Sequence, residues 1–302
     1  MLAKLVVRKA IYSVFVMILF CCVVLLVCSI PKDFSLTVSN GEVIASHSVA
    51  DIYGKAVENV QGILSGSLSK KFEGKNQIAI MFSKLFRTAG LLISGIILGV
   101  ILGVAKGIFD SGRGKESRVN LKSLSTIIPI SMPDLFNIAV LQFLAVWLAQ
   151  EGLKVFRVAG QGSINHTFLP IIALSILPSS YIARVTAVSI DSCYRMNYVI
   201  AARGKGCRSS RILFNHVMRN AVGIVYDGLS NITGLIICNL LIIEYMFSYM
   251  GLAVSLVQFY ASRDTKGVIV VILMLGTIYL ILDNIFELLK KLFYTPVKEG
   301  SI

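Results

Sequence analysis

The apolar residues of this chain are gathered into long runs, with the polar residues between them. A helix needs about 20 predominantly apolar residues to cross a hydrocarbon core of about 30 Å. Six segments meet that length: 10–30, 88–109, 125–148, 167–190, 221–247 and 266–289. The pattern predicts an all-α membrane protein with six transmembrane helices. Pro129 and Pro133 interrupt the third run, and Pro170 and Pro178 the fourth. Proline is tolerated there when neighbouring groups re-satisfy the freed carbonyls. The polar stretch 31–87 is long enough for a small fold outside the bilayer, with Gly41, Gly54, Gly62, Gly66 and Gly74 as turn positions. Its end, 78–86 (IAIMFSKLF), has the pattern of an interfacial amphipathic helix leading into the second span. The chain therefore divides into 1–30 (N-terminus and first span), 31–87 (outer segment) and 88–302, a core of five spans that contains the loop 191–220.

Composition supports this reading. Of 302 residues, 56% are apolar and only 15% charged, against about 25% charged in an ordinary soluble domain. The net charge is +13, and its placement fixes an orientation. Segments 1–9, 110–124, 191–220 and 290–302, with Lys106, hold seventeen Lys and Arg. The short loops on the other face, 149–166 and 248–265, hold only Lys154, Arg157 and Arg263. The positive-inside rule then puts both termini in the cytoplasm. Basic charge can also mean nucleic acid, but no recognition motif accompanies it, and binding to nucleic acid is not expected. The 21-residue run 10–30 is long for a secretory signal and lacks a small-residue cleavage site, so it reads as an uncleaved first span.

Candidate chemistry is sparse. Cys21, Cys22, Cys28, Cys193, Cys207 and Cys238 form no CxxC pair, and His47, His166 and His216 are scattered. Neither a metal site nor a disulfide framework is expected. No nucleophile–base arrangement is legible. Gly112–Glu116 is the nearest approach to a phosphate-binding loop and fails its pattern. Among polar residues in the spans, Asp134 and Asp227 either face a wet cavity or hold a structural partner. Asn231 and Asn239 lie on one broad face of the fifth span and either line a path or bond between helices. Asp283 reads as the partner of a membrane-edge lysine.

The informative segment is the loop 197–220, NYVIAARGKGCRSSRILFNHVMRN. Residues before Arg203 can form a short helix, and Gly204 and Gly206 stop it. A second helix is expected to start with Ser209 as N-cap. Small side chains and a sharp glycine turn let such a helix press closely on another protein.

This loop resembles the coupling-helix motif of ABC importer permeases of the oligopeptide, dipeptide and nickel branch. Tyr198, Val199, Ala202, Lys205 and Gly206 match its Tyr-Val-x-x-Ala-x-x-Lys-Gly. His216, Arg219, Asn220 and Ala221 match its His-x-x-Arg-Asn-Ala. Glu244, Phe247, Ser248, Gly251 and Leu252 match its Glu-x-x-Phe-Ser-x-x-Gly-Leu. Ser131 and Pro133 with Phe136, and Leu174 to Arg184 with Pro178, Tyr181 and Ala183, resemble its third and fourth spans. Val222 and Gly223 stand where the branch has Leu-Pro, the Gly-Asp-Leu-Gly signature is reduced to Gly66-Ser-Leu68, and the outer segment is short.

The resemblance implies a permease subunit that is not itself an enzyme and binds no cofactor. It sits in a bacterial inner membrane beside a second, homologous permease, two ATPase subunits that bind ATP and Mg, and an external substrate-binding protein. Tyr198, Ala201, Ala202, Gly204, Lys205, Gly206 and Arg211 would couple to the ATPase. Asp134, Asp227, Asn231, Asn239 and Glu244 would line the translocation path, Glu244 at an outer gate or in a helix contact. Peptides are the implied cargo, and nickel or metal chelates are the alternative. An ion-coupled secondary transporter acting alone would suit buried acids, but needs inverted repeats that the sequence lacks.

Overall fold

The computed structural model describes residues 2–30, 36–39, 42–46, 48–65, 77–112, 121–152 and 166–293. Five helices in it are long and apolar enough to cross a bilayer: α1 (Leu2–Cys28), α3 (Gln77–Asp110), α6 (Phe168–Tyr194), α9 (Met218–Met246) and α11 (Thr265–Phe293). The third predicted span is two helices, α4 (Leu121–Ser131) and α5 (Asp134–Gln150), bent by 110° at the break. Counting that pair as one gives six spans.

The break has a local cause. Pro133 lacks an N–H and holds an extended conformation (φ −57°, ψ 138°). The carbonyl it would have bonded, that of Pro129, accepts instead from the Asn137 side-chain amide at 3.0 Å. The fourth span behaves differently. α6 runs through both its prolines as one helix, the tolerance expected of proline within a span. Pro170 falls in the first turn, where no N–H is needed. The internal Pro178 sits between turns whose Ser175 and Ser179 hydroxyls bond the carbonyls of Ile172 and Ile176.

The amphipathic stretch ahead of the second span is not a separate helix. It is the first part of the 34-residue α3, because no glycine or proline separates it from the span. The polar segment before it contains a hairpin, β1 (Leu36–Ser39) with β2 (Glu42–Ala45), pairing Leu36 with Ala45 and Ser39 with Glu42. A helix α2 (Val49–Leu64) follows. Ser48 and Asp51 start it as a reciprocal capping box, each side chain accepting the other's backbone N–H. Gly54 and Gly62, expected at turns, lie within α2, where a single glycine costs a helix only about 1 kcal/mol. Gly41, Gly66 and Gly74 lie outside the described residues.

Contacts divide the chain into two compact units, each with its own packing. The first comprises residues 1–88 and 250–280. In it α10 (Ala253–Ala261) is clamped to α3: the Leu252 N–H donates to the Thr88 hydroxyl at 2.7 Å, and the Lys84 ammonium donates to the Ser255 hydroxyl at 2.7 Å. Met81, Leu252, Phe259 and Val271 form the enclosed apolar cluster beneath this clamp. α1 contributes little to burial and exposes most of its large apolar side chains, as a lipid-facing helix does.

The second unit comprises residues 89–249 and 281–302. Its centre is α6, packed against α9, α4 and α3. Gly95, Gly99, Gly103 and Gly107 face α6 one turn apart, and a β-carbon on any of them would stand 2.6–2.9 Å from an α6 atom. Small residues let membrane helices approach this closely. On the other side, Gly228 of α9 receives the Tyr181 ring of α6, whose nearest atom would lie 3.3 Å from a β-carbon there.

Candidate functional site

The loop after α6 folds as α7 (Asn197–Gly204), α8 (Ser209–Arg211) and a π-helical turn (Ile212–Val217) that runs directly into α9. Ser209 is the first helical residue, and Arg208 takes the cap position with no side-chain cap bond. This corrects the expected N-cap by one residue. The stop of α7 is sharper than two glycines would suggest. Gly204 is still helical, and only Gly206 takes a left-handed φ, +74°. Around it, the Cys207 N–H donates to the Ala202 carbonyl (3.2 Å) and the Gly206 N–H to the Arg203 carbonyl (2.9 Å). This is a Schellman cap, and Cys207 packs against the apolar cluster that contains Ala202.

One face of α7 is fixed. Val199 and Ala202, three apart and so on one side of the helix, join Ile190, Cys193 and Tyr194 of α6 and Ile212, Leu213, Val217 and Ala221 beyond the loop. Ile108 of α3 packs on the same cluster. The Arg203 guanidinium lies over the Tyr194 ring, 5.1 Å from its centroid. The opposite face is open. Tyr198, Ala201, Gly204, Lys205, Gly206 and Arg211 are exposed, as are the apolar side chains of Met196 (44%) and Ile200 (56%). Of the seven residues expected to couple, six are exposed, Tyr198 with its side chain hydrogen-bonded to the buried Cys193, and Ala202 faces the core. Arg195, Arg203, Lys205, Arg208 and Arg211, all in this loop, are exposed as well.

The expected path residues separate. Asp134 and Asn239 meet, the Asn239 side chain hydrogen-bonding the Asp134 carboxylate across α5 and α9. The Oδ1 atom of Asn239 is buried without a hydrogen-bond partner. Asn231 is exposed and Glu244 is fully buried, so in this conformation Glu244 borders no open space. The Asp227 side chain lies outside the described residues.

Sequence reasoning missed a polar cluster near the α7 end of the second unit. Asp110 of α3 is buried, paired with Lys106 one turn before it and accepting the Thr126 hydroxyl of α4. Beside it is a cavity of about 270 Å³ lined by Leu102, Lys106, Ser125, Thr126, Ser179 and Ser180. The signal available in sequence was weak: one acid and one lysine at i,i+4 spacing at the end of an apolar run.

Comparison with known proteins agrees with this architecture. The profile of the family described as "binding-protein-dependent transport system inner membrane component" matches residues 95–293. The chain is similar to the di/tripeptide transport system permease protein DppB of Pseudomonas aeruginosa, 29% identical over 42% of this chain and 38% of that protein. It is equally similar to the putrescine export system permease protein SapB of Escherichia coli K12, 29% identical over 42% of this chain and 40% of that protein. The chain thus spans about two-fifths of the length of these curated relatives. A crystal structure of the MetNI methionine ABC transporter in an inward-facing conformation shares the fold, with a TM-score of 0.56 at 12% identity, covering 74% of this chain and all of that one.

Proposed function

Since the chain belongs to the family of binding-protein-dependent transport system inner membrane components, we propose that it is the permease subunit of an ATP-driven importer and couples through α7 to a separate ATPase subunit. The observation that carries the reading is the two-sidedness of α7. Its Val199–Ala202 face is anchored to three long helices, and its Ala201 and Lys205 face is exposed, in a loop whose arginines are exposed too. A helix held this way transmits a push on its outer face to α6, α3 and α9, because packed interiors deform little.

The mechanism follows. Two such permeases enclose a path, and each receives one ATPase subunit on its α7. ATP and Mg bind those partners. Closure of the ATPase pair moves the helices between outward-open and inward-open states, and an external binding protein delivers the solute. Both termini and α7 lie in the cytoplasm, following the distribution of Lys and Arg. The cargo class we propose is short peptides, which the Pseudomonas relative is named for. The Asp134 carboxylate, held by Asn239, is a group in the spans that would attract a peptide ammonium.

The test is reconstitution in vesicles with the partner permease, ATPase subunits and binding protein, followed by uptake of labelled di- and tripeptides. Ala201→Asp puts a charge on the outward face of α7 without entering its core. It should abolish uptake and the stimulation of ATP hydrolysis while leaving insertion intact. Uptake at the wild-type rate in that variant would sink the coupling assignment.

A further inference from the structure

α3 carries positive charge at both ends of its apolar stretch. Residues 88–105 contain no charged side chain, with Arg87 on one side and Lys106 on the other. Eighteen helical residues rise about 27 Å, close to the thickness of a hydrocarbon core. Arg87 therefore marks one edge of the hydrocarbon, and Lys84, one turn further out, lies at headgroup depth.

A cavity of about 360 Å³ opens at this level, lined by Ala79, Ile80, Ser83, Lys84, Arg87 and Met250. Its frame is built. The Ser255 hydroxyl holds the Lys84 ammonium, and the bond from Leu252 to Thr88 fixes the start of α10 beside it. An ammonium carries three N–H groups and a guanidinium five, so each cation can hold a phosphate oxygen alongside other partners. On the same helix, Phe82 and Phe86 are 47% and 71% exposed. Exposed aromatic rings on the same helix, next to the depth that Arg87 marks, suit contact with lipid.

We infer that this cavity binds the phosphate of an anionic phospholipid, with Lys84 and Arg87 on the phosphate oxygens, Ser83 as a further donor, and Ala79, Ile80 and Met250 against the glycerol and the first methylenes. The chemistry is phosphate recognition by two cations. The lipid is favoured over a soluble anion by depth and by the exposed aromatics of the same helix. With both termini cytoplasmic, the site lies in the outer leaflet.

The experiment is native mass spectrometry of the full chain in detergent. It is titrated in separate arms with phosphatidylglycerol, phosphatidylcholine and inorganic phosphate. Phosphatidylglycerol should stay bound at collision energies that strip phosphatidylcholine. Joint Lys84→Gln and Arg87→Gln substitution should lower its retention about tenfold or more, and exchange of the two cations (Lys84→Arg with Arg87→Lys) should preserve it. Ser83→Leu obstructs the cavity without touching either charge and should also lower retention, which answers the question if charge removal prevents insertion. Unchanged retention in the charge-removed or obstructed protein overturns the assignment. Displacement of the lipid by millimolar inorganic phosphate alone overturns the lipid as its source.

Discussion

Gly103 of α3 and Ser179 of α6 are so close that a β-carbon on Gly103 would stand 2.7 Å from the Ser179 carbonyl oxygen. The neighbour is backbone and cannot rotate away, so any side chain forces α3 and α6 apart. Gly103→Val should destabilise the protein by about 1–3 kcal/mol, the usual cost of overpacking. Gly90→Ala, on the same helix with nothing within 4 Å, should be neutral or stabilising by up to about 1 kcal/mol through helix propensity. Thermal unfolding in detergent reads both. Equal midpoints for the two variants would show that the α3–α6 contact is not close in the protein.

What the sequence made legible follows from which interactions are local. Span number and placement depend on runs of apolar residues, and these emerged to within a few residues for α6, α9 and α11. The different fates of Pro133 and Pro178 were not legible. Whether a proline breaks a helix depends on what the freed carbonyl meets, and for Pro133 that is a side chain on the next helix, Asn137. The hairpin has a signal in the sequence, Asn40-Gly41 between two short β-prone runs. The glycine row of α3 was likewise readable as repeated small-xxx-small spacing. In the loop, the motif located α7 but could not tell Ala201 from Ala202. Only packing shows that the first faces outward and the second faces Val199's cluster. The meeting of Asp134 with Asn239 needed the tertiary fold, since over a hundred residues separate them.

Gly204 and Gly206 should respond differently to the same substitution. A β-carbon added to either would meet no atom within 4 Å, so neither is constrained by space. Gly206 is constrained by its φ of +74°. Gly206→Ala should cost about 1–2 kcal/mol and loosen the Cys207–Ala202 cap. Gly204→Ala extends a helical position and should be tolerated. Peptide uptake and limited proteolysis at the loop separate them: the Gly206 variant should be cleaved faster and transport less, and the Gly204 variant should match wild type. Matching cleavage rates would mean that the left-handed turn is not what closes α7.

Tyr194 offers a substitution expected to help. Its ring is buried under Arg203, but its hydroxyl is buried without a hydrogen-bond partner. Tyr194→Phe keeps the ring and removes the unsatisfied group, whose desolvation costs about 1–3 kcal/mol. The variant should be as stable as wild type or up to about 1 kcal/mol more stable. Tyr194→Leu removes the aromatic face as well and should lose about 0.5–1 kcal/mol of cation–π attraction besides packing. Comparing these two variants in an Arg203→Gln background tests the pairing: the gap between Phe and Leu should shrink there. A gap that persists unchanged would assign the difference to packing alone.

The cluster of Lys106, Asp110 and Thr126 ties α4 to α3 through a buried carboxylate. Its strength comes from arrangement rather than from charge alone. Lys106 is about one-third exposed, while the Asp110 side chain is nearly enclosed. Removing the lysine therefore strands a buried anion, whereas removing the acid leaves a cation that can turn toward water. Lys106→Met should thus cost more than Asp110→Asn, about 3 kcal/mol against about 1 kcal/mol. Thr126→Val removes one donor to the carboxylate and should cost about 1 kcal/mol. The joint variant Lys106→Met with Asp110→Leu replaces the pair by apolar side chains at the membrane edge. It should recover most of the loss of the lysine variant, because no buried charge remains. A double-mutant cycle on unfolding in detergent measures the coupling. Additive effects would mean that Asp110 is held by Thr126 and its other surroundings, with the lysine a bystander.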